Sequence, residues 1–481
     1  MEDKKPFYLT TPIFYPNAKL HMGHAYTTTL SDCIVRYHRD VLGERSYFLT
    51  GSDENTQKMV DAAVAAGKDP LEFLSGIVER FAALFRELNI SYDQFIRTTD
   101  QQKHWPGAQV LWNKLVESGD IYKKAYEGLY CVGHEAFITE KELVDGKCPD
   151  HGTVPEFLKE ENYFFKLSRY EGEIKRRIES DELRIVPASR KAEILSFLNE
   201  GLQDVSFSRP HRSEWPKGLG VPVPGDDSQV MYVWCDALAN YITALGYGTD
   251  HHALFDEFWP ASAHVIGKDI LRFHAAIWPG MLLSAGVPLP QALLVHGFIT
   301  SGGKKMSKSL GNVIDPEELL SEYGTDAVRY YLLRHVSPFE DGDITRDAFK
   351  DAYNSGLANG LGNLASRIMQ LAQTHLEQGT KPESVDLPEE YRHAFSSYEI
   401  KRAADLVWEE IQFLDQKITE TAPFKVIKTD VETGKALIFG LTQDLYTIAH
   451  LLTPFLPETA RKIKEAVIEN KKPENLFVRK E

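Results

Sequence analysis

The chain has 481 residues, 43% of them hydrophobic and 26% charged, and a net charge of −16 at pH 7. This length is enough for two or three domains with a substantial core, and no apolar stretch approaches the ~20 residues that cross a bilayer. The four cysteines argue against a disulfide-stapled secreted fold, and the acidic balance argues against a protein that coats nucleic acid non-specifically. The opening MEDKKPFYLTTP lacks the apolar segment of a signal peptide, so we expect a cytoplasmic protein.

The first part of the chain alternates between strand and helix patterns. The first predicted strand is the apolar, β-branched run PFYLTTPIFY. From about residue 24 the spacing becomes helical at Leu30, Ile34, Tyr37 and Val41, with a stop at Gly43. A second strand, RSYFLTGSDE, and the helical patterns ERFAALFRELN and QVLWNKLVESG follow. This alternation predicts a parallel sheet with crossover helices.

The remaining segments divide the chain further. Between about residues 120 and 225, short β-like pieces with Gly and Pro turns indicate an inserted module. Alternation resumes in QVMYVWCDALANYITALG and QALLVHGFI, and beyond GGKKMSKSLGN the pattern is almost wholly helical, which predicts a bundle. The predicted domains are two halves of an α/β domain (1–118 and 226–295), the insertion (119–225), a connecting region (296–350) and the bundle (351–481).

Two histidines flank a glycine where the first helix begins, in KLHMGHAY. His21 and His24 lean the same way on a first helical turn, where backbone N–H groups and the helix dipole favour an anion. Gly23 lets a base or phosphate approach the backbone closely, and imidazoles can donate hydrogen bonds to a triphosphate. The alternative interpretation is a polar helix entry.

A glycine-hinged, lysine-rich segment, TSGGKKMSKSLGN, lies almost three hundred residues later. Its ammonium and hydroxyl groups, among them Lys305, Lys308 and Ser309, can bind a polyphosphate and stabilise a leaving pyrophosphate. Alone, such a segment is more often a solvated loop. Together, HMGH and KMSKS are far more specific than either one.

In these two motifs the sequence resembles the class I aminoacyl-tRNA synthetases, whose motifs read HIGH and KMSKS; Met22 replaces the usual Ile. The order of TTPIFYPNAKLHMGHAYT, FLTGSDE, YVWCDAL, GKDILRFH, KMSKSLGN and DAVRYYLLR resembles that of the methionyl-tRNA synthetase family nearly end to end. The class I enzymes for Ile, Val and Leu carry a large editing domain as an insertion. At about 100 residues, the insertion in this chain is too short for a typical folded domain of that kind. The resemblance implies a Rossmann-type catalytic domain that activates methionine with ATP and Mg²⁺ and transfers it to tRNA(Met). It also implies that 296–350 holds the KMSKS loop and a stem-contact region.

The resemblance also implies the site residues. Those that contact ATP are His21, Gly23, His24, Gly267, Asp269, Lys305 and Lys308. Those that act in catalysis are His21, His24, Lys305, Lys308 and Ser309. Those that hold methionine are Ile13, Tyr15, Asp53, Arg209, Trp234, Ala237, Tyr241, Ile270 and His274. An unbranched thioether gains from contact with Trp and Tyr rings, and Tyr15 or His274 can meet the sulfur. The alternative for YVWCDALANY is a core helix with inward-facing aromatics.

The sequence departs from the family pattern at three positions of the catalytic region. Asn55 and Thr56 stand where relatives often have His and Gly, so any role of that histidine is absent here. Leu238 stands where some relatives have proline, which alters the pocket wall without changing its apolar character.

The insertion carries two Cys-x-x-His pairs, Cys131 with His134 and Cys148 with His151. Thiolates and imidazoles at this spacing suit tetrahedral zinc, and four ligands make it a structural site. Relatives commonly use three Cys and one His, so His134 replaces a cysteine here. The alternative is two cysteines and surface histidines without a metal.

The helical C-terminal region resembles the family's anticodon-binding bundle. Asn363 and Arg367 lie one helical turn apart and match its anticodon readers, since amide and guanidinium groups can read splayed base edges. Phe424 stands where relatives usually have Trp; it can stack a base or pack in the bundle core. The chain shows no appended tRNA-binding domain after NLFVRKE, so we expect a monomer.

Three other functions remain open at this stage. They are a class I synthetase for another amino acid, a related nucleotidyltransferase that does not act on tRNA, and a non-catalytic paralogue that binds RNA. The long helical bundle and the YVWCDAL helix argue against the second. The chemical completeness of both phosphate motifs argues against the third.

Overall fold

The computed structural model describes residues 6–16, 19–55, 60, 63–131, 136–149, 152–211, 219–306, 312–379, 381–382 and 384–481. Its strands are β1 (Phe7–Phe14), β2 (Ser46–Ser52), β3 (Gln94–Arg97), β4 (Ile121–Cys131), β5 (Ala136–Ile138), β6 (Glu156–Phe165), β7 (Arg184–Val186), β8 (Val205–Ser206), β9 (Ser208–Pro210), β10 (Pro222–Val223), β11 (Asp226–Met231), β12 (Ala263–Gly267), β13 (Ala292–His296), β14 (Ile299–Ser301), β15 (Lys304–Lys305) and β16 (Gly342–Asp343).

The α-helices are α1 (Met22–Arg36), α2 (Pro70–Glu87), α3 (Trp105–Glu117), α4 (Glu171–Glu179), α5 (Ala188–Asn199), α6 (Val233–Thr243), α7 (Ala253–Phe258), α8 (Trp278–Ala285), α9 (Pro316–Tyr323), α10 (Thr325–Arg334), α11 (Arg346–Ala352), α12 (Asn363–His375), α13 (Glu389–Ser396), α14 (Ile400–Thr421), α15 (Pro423–Val426), α16 (Val431–Leu451) and α17 (Pro457–Glu469). Wider π-helical turns occupy Tyr37–Val41, Phe273–Ile277 and Tyr353–Gly362, and each continues from or into an α-helix or helical turn.

The central sheet has six strands in the order β3-β2-β1-β12-β13-β7, and all of its pairings are parallel. The predicted α/β class with a parallel sheet is therefore confirmed. The strand order reverses between β1 and β12, and in open parallel sheets ligands bind in the crevice that such a reversal leaves at the carboxyl ends of the strands.

Alternate residues of β1 enter two separate hydrophobic cores. Phe7 and Leu9 belong to one core and Tyr8 to the other, as the period of a strand requires. The buried thiols divide in the same way, Cys33 into the first core and Cys235 into the second.

The insertion contributes to two antiparallel sheets, β5-β4-β6-β8 and β10-β11-β9, of which the second includes β11 just beyond residue 225, and it also contains α4 and α5. Within the same stretch of chain, β7 pairs in parallel with β13, with Ile185 opposite Leu293. The segment predicted as an insertion at 119–225 thus contains the edge strand of the central sheet. A three-residue strand leaves no periodicity that could have revealed this; the domain boundaries otherwise stay a prediction.

The helical bundle shares its hydrophobic core with α1 and α2 of the α/β domain. At their junction Arg329 of α10 is fully buried, and its guanidinium lies 2.7 Å from the Asp32 carboxylate of α1. It also donates to the carbonyl oxygens of Phe455 and Pro454, both at 2.9 Å, and of Leu88 at 3.2 Å. One side chain thus joins α1, the end of α2 and the turn before α17. None of the described helices is long and apolar enough to span a membrane.

Candidate active site

Helix α1 begins with a pair of neighbouring histidine rings. His21 caps the helix, because its Nδ1 accepts a hydrogen bond from the backbone N–H of Gly23 at 3.0 Å. Nδ1 of His24 accepts from the backbone N–H of His21 at 3.1 Å, and the ring centroids lie 3.9 Å apart. Burial, with a contribution from His21, lowers the pKa of His24 well below its ordinary value. Since each Nδ1 accepts, a neutral ring carries its proton on Nε2, and α1 starts with two imidazole N–H donors.

Gly23 is required by this histidine cap. A Cβ atom at Gly23 would lie 2.9 Å from Cε1 and 3.0 Å from Nδ1 of His21, which is too close for a relaxed contact. A side chain here would displace the His21 ring from its hydrogen bond. The sequence predicts glycine as room for a ligand, and the structure adds a local reason that holds without one.

Polar groups collect at the carboxyl ends of the central strands. Asp53 follows β2, is 3% exposed, and donates its backbone N–H to the carbonyl oxygen of Phe14 at 3.0 Å. Gly267 ends β12, where a Cβ atom would lie 2.6 Å from Oδ1 of Asp269. The Asp269 carboxylate thus folds back over the strand end, and a side chain at position 267 would have to displace it. The structure places Asp53, Gly267 and Asp269 at one edge of the sheet.

His296, which the sequence analysis missed, ties α1 to the end of β13. Burial lowers the pKa of His296, so the ring is neutral, and its Nδ1–H donates to the Gly297 carbonyl oxygen at 2.8 Å. Nε2 of His296 then lies 2.8 Å from the Thr27 hydroxyl and accepts from it. A histidine that ends a run of buried apolar residues, ALLVH, is the signal that could have revealed it.

The residues predicted to hold methionine cluster around α6. Burial lowers the pKa of His274 to about 4, so its ring is neutral and its Nδ1–H donates to the Ile270 carbonyl oxygen at 2.9 Å. Nε2 of His274 then accepts the Tyr241 hydroxyl proton at 2.7 Å. Trp234 stacks on Phe273 with centroids 3.8 Å apart and meets His274 edge-on. Ala237 is buried, while Ile13 and Tyr15 are half-buried.

A second buried histidine, His264, packs against Tyr241 of α6. The Trp278 indole N–H donates to Nε2 of His264 at 3.3 Å, so Nδ1–H of His264 donates to the Thr10 hydroxyl at 2.7 Å. The His264 ring stacks on Tyr241 with centroids 4.2 Å apart. Burial, with a contribution from His274, lowers its pKa well below the ordinary value. The Tyr241 ring is thus fixed on one face as well as at its hydroxyl.

Asn55, one of the departures from the family pattern, belongs to a buried polar network. Its amide donates to the Asp236 carboxylate of α6 at 2.8 Å. The other oxygen of Asp236 lies 2.6 Å from Nε2 of His104, whose Nδ1 lies 2.8 Å from the Thr243 hydroxyl. The network joins the chain after β2 to both ends of α6. Sequence reasoning missed Asp236 and His104, although an aspartate inside the apolar run YVWCDAL is an unusual core residue.

Arg209 lies on β9, next to the strand that leads into α6. Its guanidinium donates to the Ser206 hydroxyl at 2.8 Å and to the Ser208 carbonyl oxygen at 2.7 Å. It also lies over the ring of Tyr232, 4.6 Å from the centroid. Tyr232 caps α6, so Arg209 is positioned at the start of the pocket helix.

The lysine-rich segment follows β13 and begins with a tight hairpin formed by β14 and β15. The backbone of Lys305 in β15 pairs with Thr300 in β14, through a turn in which Gly302 and Gly303 have φ of +61° and +70°. The Gly303 N–H donates to the Asp343 carboxylate at 2.9 Å. Lys308 and Ser309 lie outside the described residues, as does the side chain of Lys305.

Two of the predicted zinc ligands lie on the insertion. Cys131 ends β4 and Cys148 begins a turn; their side chains are 0% and 1% exposed. The backbone forms a tight turn at Cys148. The Cys148 N–H donates a hydrogen bond to the Thr153 carbonyl oxygen, and the Gly152 N–H donates one to the Cys148 carbonyl oxygen. A buried sulfur on a tight turn and a second at a strand end are donors of the kind that a metal knuckle uses. His134 and His151 lie outside the described residues, and the described part of the chain brings no three His, Cys, Asp or Glu side chains together as a metal site.

The predicted anticodon residues lie on the surface of the bundle. Asn363 begins α12 and is exposed, and Arg367 follows it by one turn on the same face. Arg367 forms an ion pair with Asp415 of α14 at 2.5 Å. Phe424, in the short helix after α14, is 40% exposed. Its surface position excludes the alternative of a bundle-core aromatic.

Comparison with known proteins gives consistent matches across the chain. The family profile described as tRNA synthetases class I (M) matches residues 7–154 and 150–369. A methionine–tRNA ligase of Clostridium acetobutylicum is 44% identical over 96% of this chain and 73% of its own length. One of Rhizobium meliloti is 40% identical over 97% of this chain and 92% of its own length. The structure of Mycobacterium tuberculosis methionyl-tRNA synthetase in complex with methionyl-adenylate superposes with a TM-score of 0.90, at 35% identity, covering 99% of this chain and 100% of that chain.

Proposed function

This chain belongs to the methionyl-tRNA synthetase family of class I, and we propose that it activates L-methionine with ATP and transfers the methionyl group to the 3′ end of tRNA(Met). The observation that carries the proposal is the position of the histidine-capped start of α1. It follows β1, beside the strand reversal of the parallel sheet, and α6 carries a cluster of aromatic side chains around Tyr241. A phosphate site and an amino-acid pocket of this kind are what adenylate formation requires.

In the first step a carboxylate oxygen of methionine attacks the α-phosphorus of ATP. The bond to the bridging oxygen breaks, and methionyl-adenylate and pyrophosphate are formed. The Nε2–H donors of His21 and His24 meet the phosphate oxygens as charge builds on them. Lys305, Lys308 and Ser309 stabilise the departing pyrophosphate, and Mg²⁺ enters as part of the ATP substrate. Gly267 and Asp269 hold the ribose, Asp269 as the acceptor for its hydroxyls.

The methionine side chain lies among apolar and aromatic groups. Its carbon atoms and sulfur contact Trp234, Tyr241 and Ala237, with favourable sulfur–aromatic contact. Both nitrogens of His274 are engaged with protein atoms, namely the Ile270 carbonyl oxygen and the Tyr241 hydroxyl. His274 therefore orients Tyr241 instead of meeting the sulfur directly, and Tyr15 is the remaining polar neighbour of the two that the sequence suggested.

Asp53 binds the ammonium group of the methionine substrate in this proposal. Asp53 supplies a buried carboxylate at the strand edge, where it attracts the positive charge. Arg209 is the weaker member of the predicted set, because its described contacts are with its own turn and with Tyr232.

In the second step a ribose hydroxyl of the terminal adenosine of tRNA attacks the methionyl carbonyl carbon. The bond to the AMP phosphate oxygen breaks, so AMP leaves and the ester is formed. Asn363, Arg367 and Phe424 read and stack the anticodon bases on the bundle surface. The Arg367 guanidinium exchanges its Asp415 carboxylate for a base edge when tRNA binds.

A structural zinc ion bound by Cys131, His134, Cys148 and His151 completes the insertion in this proposal. Two thiolates and two imidazoles suit tetrahedral zinc and leave no position for a substrate. Such an ion would hold the turn around Cys148 against the end of β4. We also propose a cytoplasmic location, where charged tRNA is used and thiols stay reduced, and a monomeric state.

Amino-acid-dependent exchange of pyrophosphate into ATP, measured with each of the standard amino acids, tests the function. Methionine is expected to support exchange far above all others. Exchange with leucine or cysteine but not with methionine would refute the substrate assignment. The absence of exchange with every amino acid would instead favour a non-catalytic RNA-binding protein.

A further inference from the structure

Lys19 connects the chain just before HMGH with the chain just after KMSKS. Its Nζ lies 2.6 Å from Oδ2 of Asp315 and 2.8 Å from Oε2 of Glu317, nearly 300 positions further along the sequence. The hydrogen bonds that Lys19 donates to Asp315 and Glu317 raise the pKa of Lys19, so the ammonium is charged. The sequence analysis assigned no role to any of the three residues.

The partner of Lys19 is itself held in place. One oxygen of Asp315 accepts the backbone N–H of Glu317 at 3.0 Å and so caps α9, while its other oxygen meets Lys19. The carboxylate therefore joins the start of α9 to the chain that leads into α1. An N-cap of this kind fixes the direction of the chain that enters the helix.

A further contact fixes the chain between KMSKS and α9. The side-chain amide of Asn312 donates to the Ser301 carbonyl oxygen at 3.3 Å. Ser301 belongs to the hairpin that precedes KMSKS, where it pairs with Lys304. The described residues before and after KMSKS are thus held together by hydrogen bonds. Lys19 joins the residues after KMSKS to the segment that contains HMGH by a direct ion pair.

We propose that Lys19 is a positioning residue, which sets the distance between the two ATP motifs by binding Asp315 and Glu317. This inference rests on the proposed ATP-binding roles of HMGH and KMSKS. The ion pair is partly exposed, with 45% of the Lys19 side chain accessible, so its strength is modest. Its effect falls on the binding and reaction of ATP, because the two groups that it aligns meet the same nucleotide.

Lys19→Met is expected to lower kcat/KM for ATP in pyrophosphate exchange about two- to fivefold, as expected for a partly exposed ion pair. The KM for methionine is expected to stay unchanged. Asp315→Asn keeps an oxygen for the helix cap and removes only the charge, so combined with Glu317→Gln it should match Lys19→Met. Lys114→Met is the matched control: Lys114 is similarly exposed and pairs with nearby Glu117 at 3.1 Å, and its loss should leave the kinetics unchanged.

A double-mutant cycle decides between positioning and direct contact with ATP. If Lys19 acts through the two carboxylates, adding Lys19→Met to Asp315→Asn/Glu317→Gln costs no further activity. A full additional loss in that background, or no loss in Lys19→Met alone, would overturn the proposal. The assignment of the ATP motifs is tested separately by Lys308→Ala: if that variant retains full exchange, the proposed function of KMSKS has failed, whatever the cycle shows.

Discussion

The protonation of individual side chains decides the chemistry of this site. The hydrogen bonds on Nδ1 of His21 and His24 direct the Nε2–H of each neutral ring outward as a donor. In the pocket, the carbonyl of Ile270 fixes the proton of His274 on Nδ1, which in turn fixes the direction of the Tyr241 hydroxyl. Burial lowers the pKa of His24 and of His274, so both of these rings are neutral. In the proposed function they are a neutral donor beside the phosphates and part of a neutral wall beside the thioether.

The lowered pKa of His274 makes the stability of the protein depend on pH. Its folded pKa of about 4 lies below the ordinary value of 6.5, so as the pH falls below 6.5 the unfolded chain gains a proton that the folded chain excludes. The free energy of unfolding is therefore expected to fall between pH 6.5 and 4, by ~2 kcal/mol from this residue at pH 5. Urea unfolding at pH 7.5 and pH 5 measures it. In His274→Gln the decline should be smaller by about that amount; equal declines in both proteins would contradict the assignment.

The charge of Lys308 is expected to act mainly in the transition state. Lys308→Ala should lower the rate of activation about a hundredfold while methionine binding stays intact, since pyrophosphate gains its charge as the bond breaks. Single-turnover formation of methionyl-adenylate and equilibrium dialysis of methionine measure the two quantities. Lys308→Arg keeps the charge and should lose less. A parallel loss of methionine affinity would rule out this role.

At the scale of elements, the site is built from the ends of helices and strands. Its proposed residues lie at the start of α1, at the ends of β2 and β12, and on α6. In the proposed function each of these elements contributes one kind of recognition. The polar network from Asn55 through Asp236 to His104 holds α6 against the chain after β2. The helix that lines the pocket is thereby fixed by buried hydrogen bonds as well as by apolar packing.

The exposed end of α12 is expected to affect tRNA charging without affecting activation. Arg367→Ala should lower kcat/KM for tRNA aminoacylation about ten- to a hundredfold, the cost of one lost base contact, while pyrophosphate exchange stays at the wild-type level. Arg402→Ala, which removes an exposed guanidinium of α14 paired with Glu409, is the control and should leave both unchanged. Equal losses in the two assays of Arg367→Ala would exclude an anticodon role.

The turn around Cys148 is expected to depend on a metal. Purified protein should contain about one zinc per chain by atomic emission, and Cys131→Ala should lose it, because three ligands hold zinc more weakly than four. Cys33→Ala, which changes a thiol buried in the catalytic core, should keep the metal. A wild-type protein without zinc would show that the two Cys-x-x-His pairs serve another purpose.

At the scale of the whole molecule, α10 couples the catalytic domain to the bundle. Arg329 binds the Asp32 carboxylate of the same helix that begins with HMGH, and it also binds the carbonyl oxygens of Phe455 and Pro454 in the bundle. Burial alone would raise the pKa of Asp32, but the neighbouring Arg329 and Arg36 hold it below its usual range. A continuous hydrophobic core surrounds this contact. The surface of α12 and the start of α1, to which we assign anticodon and ATP binding, are thus parts of one packed body.

Removal of the Arg329 guanidinium is expected to destabilise the protein strongly. Arg329→Met leaves the Asp32 carboxylate with less of its compensating charge and several carbonyl oxygens without a donor, at a cost of about 3–5 kcal/mol. Arg329→Lys should recover only part of this, because an ammonium cannot reach the same set of acceptors. Thermal unfolding monitored by circular dichroism measures both. An unchanged melting temperature in Arg329→Met would contradict the central role of this contact.

Local patterns of the sequence determined much of this protein. The apolar run of β1 and the helical spacing of α1 follow from side-chain periodicity, and the parallel sheet follows from their alternation. The HMGH and KMSKS motifs identified the family, because phosphate chemistry requires particular residues at close spacing. Asn363 and Arg367 share a face because they are one helical turn apart.

Only the tertiary structure decided how distant segments meet. The three-residue strand β7 pairs with the unpaired side of β13 and so becomes the edge strand of the central sheet. Three residues are too few to show a periodicity from which this pairing could be predicted. The contacts of Lys19 with Asp315 and of Arg329 with Asp32 each join segments nearly 300 positions apart, and a single sequence gives no sign of such pairing. The proton positions of His274 and His296 likewise depend on carbonyl groups and burial that exist only in the folded chain. Periodicity and motif spacing act over a few residues, whereas these contacts arise from packing of the whole molecule.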